Sequence, residues 1–289
     1  VKYLGFLLVL GGILIAFFYM PAPAIAAIIV QKLIYKGSIQ PYGFSIKGIS
    51  IKWVLITVFL SIIFVLGTLA VTGIFGNTLG VESFGRLDLS QEGFNDRIIE
   101  IVRQTLGESS FGAERKLREN PIPISPTLVL AVIFVVGIIS SFTVNLPFMF
   151  GEEFGWRGFM LKETERLGFI KSNLLIGVIW GLWHAPLILM GHNYPDHPVL
   201  GVLMMILFTT ALSIPFAYSR LKTKSILGPC VMHGMINSTA PSFTYFVYGT
   251  DSLVGGIAGI AGIAIISFVS IGILLFDGKF VRSNAVSIT

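Results

Sequence analysis

Residues 126–157 read PTLVLAVIFVVGIISSFTVNLPFMFGEEFGWR, an apolar run that ends in two glutamates and an arginine. At about 1.5 Å of rise per residue, a run of this length can cross the roughly 30 Å hydrocarbon core of a bilayer as a helix. Carboxylates at membrane depth are costly and are kept mainly where they serve a function. The stretch therefore predicts a transmembrane helix, Pro126–Phe150, with a candidate functional site formed by Glu152, Glu153 and Arg157.

The composition of the whole chain indicates the same environment. Hydrophobic residues make up 54% of the 289 residues, charged residues 12%, and the mean hydropathy is +0.84, whereas soluble domains carry about 25% charged residues. The chain is thus predicted to be an integral membrane protein that contacts the lipid bilayer. The net charge of +5 is small, and we expect no nucleic-acid partner. The single cysteine, Cys230, excludes an intrachain disulfide and a cysteine-rich metal cluster, and we expect no cofactor.

Apolar windows predict an all-α, polytopic membrane protein of about eight transmembrane helices in one bundle. The candidate spans are Tyr3–Met20, Pro21–Ile34, Trp53–Phe75, Pro126–Phe150, Asn173–Met190, Val199–Tyr218, Ile226–Tyr248 and Leu253–Phe276. We divide the chain into N-terminal helices with a long polar loop over 1–125, a core that carries the candidate site over 126–276, and a cytoplasmic tail over 277–289.

Two features of the N-terminal part need separate interpretation. Lys2, the apolar run after it and the small residues from Ala22 to Ala26 mimic a cleavable signal peptide, but the apolar pattern continues further, which favours a retained span. The long polar stretch Gly76–Ser125 is rich in charge and is predicted to be a peripheral excursion. Its apolar residues can form one side of a helix that rests on the membrane, namely Phe94, Ile98, Ile99, Ile101 and Leu106.

Basic residues in the loops predict the orientation of the chain. They cluster after the second span (Lys32, Lys36, Lys47, Lys52), the fourth (Arg157, Lys162, Arg166, Lys171), the sixth (Arg220, Lys222, Lys224) and the eighth (Lys279, Arg282). The intervening loops Gly191–Pro198 and Gly249–Ser252 contain no Lys or Arg. The pattern therefore places the four basic loops and both termini in the cytoplasm.

The first set of polar residues at membrane depth is the glutamate pair with its arginine. Glu153 and Arg157 are four residues apart, so a helix brings them together as an ion pair. The same helix turns Glu152 about 100° away, where it is free for another partner. The alternative interpretation is a solvated helix end with an ordinary surface ion pair.

Two further sets lie in the fifth and seventh predicted spans. His184 stands within its span beside Trp180 and Trp183, and His233 and Asn237 are four residues apart, so they point the same way. Each set alone is also explained by a polar contact between neighbouring helices. Because Glu152 ends its span on the side where those two spans begin, we expect all three sets to converge on one cavity in the cytoplasmic half that opens to the cytoplasm.

Together these groups can hydrolyse an amide without a covalent intermediate. A carboxylate and an imidazole that share a water molecule form a general-base pair that activates the water to attack a carbonyl. A second imidazole and an amide that face the same point can donate hydrogen bonds to the developing oxyanion.

The three motifs resemble the signatures of a known family. They are Glu-Glu-x-x-x-Arg at Glu152–Arg157, aromatic-x-x-x-His at Trp180–His184 and His-x-x-x-Asn at His233–Asn237. In this order and on separate spans they are similar to the motifs of the CAAX prenyl protease and bacteriocin-processing family, the intramembrane glutamic endopeptidases. The resemblance covers roughly residues 126–248. It implies an eight-helix membrane fold in a prokaryotic cell membrane and cleavage of a peptide bond within or near the bilayer.

The resemblance also implies roles for the site residues. Glu152 and His184 activate water, Glu153 and Arg157 orient the site, and His233 with Asn237 stabilises the oxyanion. The family usually has Phe where this chain has Trp180, and this substitution keeps an aromatic wall. The partner is expected to be a membrane-associated peptide or protein, with or without a prenyl group, because some members cleave prenylated CAAX proteins and others are associated with bacteriocin maturation or self-immunity.

Other functions stay open on the residues alone. A zinc hydrolase would use His184, His233 and Glu152 as ligands, although the chain lacks His-Glu-x-x-His. A thiol hydrolase would use Cys230 with His233 and Asn237, but side chains on one helix align along its surface rather than converge. A transporter would use the same ionisable residues for substrate or protons. A non-proteolytic scaffold or immunity protein could keep the site without turnover.

Overall fold

The computed structural model describes residues 11, 15–44 and 47–284. Its helices are α1 (Ala22–Ile29), α2 (Ile51–Thr72), α3 (Gln91–Leu106), α4 (Phe111–Glu119), α5 (Pro126–Phe142), α6 (Leu146–Glu153), α7 (Phe169–Leu189), α8 (Pro198–Thr223), α9 (Leu227–Thr239), α10 (Pro241–Phe246), α11 (Ile260–Phe276) and α12 (Gly278–Asn284). Four further segments are π-helical: Ile15–Tyr19, Val30–Ile34, Gly73–Thr78 and Phe154–Met160. Four short segments are 3-10 helices: Gln40–Tyr42, Glu82–Phe84, Gly107–Ser110 and Glu165–Leu167. Leu161–Glu163 forms a single α-helical turn. Two short strands, β1 (Arg86–Leu87) and β2 (Val247–Tyr248), pair antiparallel.

The prediction of an all-α, polytopic membrane protein is confirmed, although the described chain has fewer full-length spans than the eight predicted. Among the described residues, four helices are long and apolar enough to cross a membrane: Phe17–Ile34, Ile51–Thr78, Phe169–Leu189 and Pro198–Thr223. A fifth span is counted if Pro126–Phe142 and Leu146–Glu163 are taken together, although their axes differ by 63°. Most of the predicted first span, Tyr3–Met20, lies outside the described residues.

The bend between α5 and α6 replaces the straight span predicted over Pro126–Phe150. Helix α5 ends at Phe142, and Pro147 lies in the first turn of α6. Proline fits the first turn of a helix but cannot continue an existing helical hydrogen-bond ladder, so the chain starts a new helix here. Glu152 and Glu153 therefore lie near the end of a short second helix rather than at the end of one long rod.

Two other predicted spans are also shorter than expected. Helix α9 has 13 residues, about 20 Å at about 1.5 Å per residue, which is less than the hydrocarbon thickness. It ends at Thr239, and Pro241 starts the separate helix α10. Helix α11 begins only at Ile260, because the glycine-rich segment before it forms turns. These interruptions explain the reduced number of full-length spans.

Helices α7 and α8 form the closest helix pair around the site. A Cβ atom on Gly177 would lie 2.4 Å from the Cα of Thr210, and one on Gly181 would lie 2.5 Å from the Cα of Ile206. Only glycine allows this backbone contact, which is typical of small residues spaced four apart in membrane helices. The Thr209 hydroxyl adds a hydrogen bond to the Gly177 carbonyl at 2.8 Å. The contact fixes the part of α7 that carries the middle motif.

Helix α1 packs in the same way against the first motif. A Cβ atom on Gly155 would lie 2.5 Å from the Cβ of Pro23, so the two segments are in backbone contact. This contact brings the start of the N-terminal span, including Tyr19, beside the motif-bearing helices.

The polar stretch before α5 folds as a helical pair, α3 and α4, that packs on α10 through α3. Ser90 caps α3 by accepting a hydrogen bond from the Gly93 amide at 3.0 Å. The apolar side predicted to rest on the membrane is instead partly covered by the protein. Phe94 is buried and stacks on Phe246 at 5.9 Å, whereas Leu106 is exposed.

Candidate active site

The first motif separates its two glutamates as the spacing predicts. Both carboxylate oxygens of Glu153 accept hydrogen bonds from Nη1 of Arg157, at 3.1 and 2.9 Å. The side chains of both residues have 0% exposure. The structure therefore excludes the solvated surface pair that the sequence left open.

Arg157 has three further contacts that hold it in place. Its Nη2 donates to the Ser213 hydroxyl at 3.2 Å, and its guanidinium lies over the rings of Trp180 at 4.2 Å and Phe216 at 4.6 Å. Cation–π contacts are strongest where water is excluded, as it is here. The guanidinium thus joins the first motif to α7 and α8.

His233 is linked to the same carboxylate from the third motif. Its Nδ1 lies 2.9 Å from Oε1 of Glu153. Because a carboxylate that pairs with Arg157 can only accept, Nδ1 of His233 carries a proton and donates it to this bond. The orientation leaves Nε2 as the nitrogen available to a substrate.

His184 is fixed by its own helix. Its Nδ1 lies 2.8 Å from the carbonyl oxygen of Trp180, one turn earlier. A carbonyl oxygen only accepts hydrogen bonds, so Nδ1 carries the proton and Nε2 of the neutral ring has a free lone pair. This tautomer is the one that a general base in the cavity needs.

Glu152 is buried, with 3% exposure, but it is not part of the ion pair. Its Oε2 accepts a hydrogen bond from the indole Nε1 of Trp180 at 3.0 Å. This bond joins the first motif directly to the second. The sequence pattern indicates an aromatic wall at Trp180, and nothing in it marks the indole N–H as a donor to Glu152.

One cavity of about 430 Å³ is lined by residues from all three motifs. Glu152, His184, His233 and Asn237 line it, whereas Glu153 and Arg157 lie in the packed layer that supports Glu152 and His233. The amide of Asn237 makes only a weak contact, 3.5 Å from the Met149 sulfur, so it can turn to a ligand. The remaining lining is mostly apolar and includes Tyr19, Trp183, Leu187, Met205, Phe208, Leu212 and Ile236.

Two contributors were missed by the sequence analysis. The Tyr19 ring stacks on Trp183 at 4.3 Å, and its hydroxyl donates to the Trp183 carbonyl. A tyrosine in an N-terminal span gives no sequence signal for this role. Ser213, the partner of Arg157, could have been suspected as a buried hydroxyl within an apolar span.

The cavity lies towards one end of α7. His184 lies nearer the end of α7 at Leu189 than its start at Phe169, and the cavity lining includes His192 and Asn193 in the next loop. That loop contains no Lys or Arg, whereas the basic residues lie at the opposite end of α7. The predicted opening of the cavity to the cytoplasm stays a prediction. Partial burial lowers the pKa of His192, so this lining imidazole is neutral at pH 7.

The geometry also bears on the two alternative hydrolase mechanisms. Within the described residues, no group of three His, Cys, Asp or Glu side chains is arranged to hold a metal ion. Cys230 is fully buried and packs in the cluster that contains Tyr42, Phe154 and Ile226, away from the cavity lining. The arrangement of the described residues therefore favours neither the zinc mechanism nor the thiol mechanism.

Comparisons with known proteins point to the same segment. Residues 121–239, which contain all six site residues, match the family described as type II CAAX prenyl endopeptidase Rce1-like. The chain is 32% identical over 92 residues to a protein named CAAX prenyl protease 2 from Methanococcus maripaludis. The match covers 30% of this chain, and the chain spans 34% of the length of that curated relative. The segment that matches the family thus contains all three motifs.

Proposed function

We propose that this chain, whose residues 121–239 match the type II CAAX prenyl endopeptidase Rce1-like family, hydrolyses a peptide bond of a membrane-associated substrate with a water activated by Glu152 and His184. The observation that carries the proposal is the single cavity lined by Glu152, His184, His233 and Asn237. One helix end alone could supply a carboxylate, but only the meeting of three segments supplies a base, an imidazole and oxyanion donors.

The charge of the buried cluster supports the division of roles. With both carboxylates ionised, Arg157 contributes one positive charge against two negative charges on Glu152 and Glu153. A net negative charge in a buried cluster is costly, so one additional proton is favoured. The proposed mechanism places that proton on His233, so that the imidazolium donates to Glu153 through Nδ1 and to the substrate through Nε2 while Glu152 acts as the ionised base.

The reaction then follows from these protonation states. Glu152 takes a proton from the water, the lone pair of His184 Nε2 orients that water, and the resulting hydroxide adds to the carbonyl carbon. His233 Nε2 and the Asn237 amide donate to the oxyanion. When the C–N bond breaks, the carboxyl of Glu152 returns its proton to the leaving amine. The products are a carboxylic acid and an amine, and after their release the site is in its starting protonation state.

The substrate class is supported by the surroundings of the cavity. A separate apolar groove of about 340 Å³ lies between α1 and the π-helical segment Phe154–Met160 and shares Trp183 with the cavity lining. Its α1 wall is formed by small residues, including Ala22, Ala26 and Ala27. An apolar chain attached to a peptide fits such a groove while the peptide occupies the cavity. We therefore expect a prenylated CAAX peptide to be cleaved faster than its unprenylated form.

A cleavage assay with the purified protein tests the proposal. It compares a prenylated CAAX peptide, the same peptide without the prenyl group and an unrelated membrane peptide. Cleavage should require Glu152 and His184 and should persist after treatment with a metal chelator, because none of the proposed steps uses a metal. Loss of activity on chelation, with recovery on added zinc, would establish the zinc mechanism instead. Glu152-dependent uptake by proteoliposomes without any cleavage would favour a transporter.

The orientation of the site forms a separate part of the proposal. We place the basic loops in the cytoplasm, so the loop end of the cavity faces the other side. In a Cys230→Ala background, a cysteine at exposed Asn193 should react with a membrane-impermeant thiol reagent on intact cells. A cysteine at exposed Arg166 should react only after the cells are opened. Reaction of both positions from one side would contradict the arrangement.

A further inference from the structure

We propose that Trp180 is a positioning residue that fixes the Glu152 carboxylate through its indole N–H, an inference that rests on the proposed function of the site. The bond from Trp180 Nε1 to Glu152 Oε2 is 3.0 Å long and is buried. It occupies one carboxylate oxygen and leaves the other, Oε1, as the atom that accepts a proton from water. A carboxylate held by one donor has a defined direction of proton transfer, whereas a freely rotating one does not.

The indole can fix the carboxylate because the indole itself cannot move. Trp180 is 2% exposed, and its ring lies 4.2 Å from the Arg157 guanidinium. The ring also contacts the rings of Phe216 at 5.6 Å and His233 at 5.4 Å. These contacts restrain the ring, so the N–H keeps its direction towards Glu152.

The same residue also positions the second member of the general-base pair. The carbonyl oxygen of Trp180 accepts the hydrogen bond from Nδ1 of His184 at 2.8 Å. One residue therefore bonds both groups that activate the water, through its side chain to Glu152 and through its backbone to His184. A phenylalanine at this position would keep the ring and the backbone carbonyl but would lose the donor to Glu152.

The first test is the variant Trp180→Phe in the cleavage assay. We expect kcat to fall by about 10- to 100-fold, because the charged Glu152 carboxylate loses the donor that fixes its direction. KM should change by less than about twofold, because Trp180 fixes the base rather than the peptide. The matched control is Trp53→Phe, whose ring contacts Tyr218 away from the cavity and whose replacement should leave kcat unchanged. An unchanged kcat in folded Trp180→Phe would overturn the proposal.

A double-mutant cycle on unfolding tests the bond without any activity. Glu152→Ala strands the indole N–H of the wild type in a buried site, but in Trp180→Phe there is no donor to strand. We therefore expect Glu152→Ala to lower the unfolding midpoint more in the wild type than in Trp180→Phe. Additive shifts would show that Trp180 only packs and would overturn the proposal. If the wild type cleaves no peptide, the proposed function fails, while this cycle still decides whether Trp180 holds Glu152.

Discussion

Two glutamate–arginine pairs with the same spacing of four residues lie in very different parts of this protein. In α4, outside the candidate site, Arg115 and Glu119 are 2.7 Å apart and their side chains are 81% and 54% exposed. In the first motif, Glu153 and Arg157 are 2.9 Å apart and both side chains have 0% exposure. The contact distances are nearly equal, so distance alone cannot separate a surface pair from part of an active site.

The difference lies in the other partners of each pair. Water surrounds the exposed pair and screens it, whereas the buried pair is bonded to His233, Ser213 and the faces of two aromatic rings. Each buried charge is therefore compensated in several directions, and each contact also orients a neighbour. A pair of this kind couples stability to the geometry of the site, and mutations should reveal that coupling.

The largest expected effect is that of Arg157→Ala. The substitution leaves the Glu153 carboxylate buried without its partner, which should lower the free energy of unfolding by about 3–5 kcal/mol. Cleavage should also be lost, because Glu153, which holds His233, loses its own partner. Chemical denaturation in detergent, followed by circular dichroism, measures the first effect.

Arg157→Lys is the matched control for this variant. It keeps the positive charge but cannot stack as a planar group or donate from a guanidinium fork, so its stability should fall between those of the wild type and Arg157→Ala. A loss below about 1 kcal/mol in Arg157→Ala would mean that this buried pair behaves like an exposed one.

The second expected effect separates Glu152 from its neighbour. Glu152→Gln should reduce the cleavage rate by about 10²- to 10⁴-fold, because a neutral amide cannot accept the proton of water. The unfolding midpoint should change little, since the amide oxygen can still accept the Trp180 hydrogen bond. Glu108→Gln, at an exposed turn, controls for the loss of one carboxylate. Full turnover in Glu152→Gln would refute the proposed mechanism.

The sequence predicted the parts of this site that depend on local spacing. The pairing of Glu153 with Arg157 and the opposite direction of Glu152 follow from helical geometry, and the structure has both. The all-α membrane class follows from hydropathy. The match to the family over 121–239 confirms the resemblance seen in the three motifs. The catalytic roles of the residues stay predictions.

The parts that failed depend on contacts between distant segments. The 63° bend after Phe142 moves the first motif onto a new helix, and hydropathy averaged over a window does not detect such a bend. The bond between His233 and Glu153 spans 80 residues of sequence, and the stacking of Tyr19 on Trp183 joins the N-terminal span to α7.

A smaller effect on stability is expected from Cys230→Ala. This variant tests whether a buried residue is needed for catalysis merely because it is buried. Cys230 is as buried as the ion pair but packs among apolar side chains. The substitution should lower the free energy of unfolding by about 1 kcal/mol, as for the loss of one buried atom, and leave kcat unchanged. A collapse of kcat in a folded variant would revive the thiol mechanism.

The smallest expected effect is that of Arg115→Ala in the exposed pair. Because water solvates both charges, the substitution should change the free energy of unfolding by at most about 0.5 kcal/mol, and even that difference should shrink in high salt. The measurement is the same chemical denaturation used for Arg157→Ala, run at low and high ionic strength. If Arg115→Ala were as destabilising as Arg157→Ala, the helical spacing would determine how much each ion pair contributes to the free energy of unfolding. Burial and contacts with additional residues would then have no effect on that contribution. The environment of the buried pair could then no longer explain its proposed role in orienting the site.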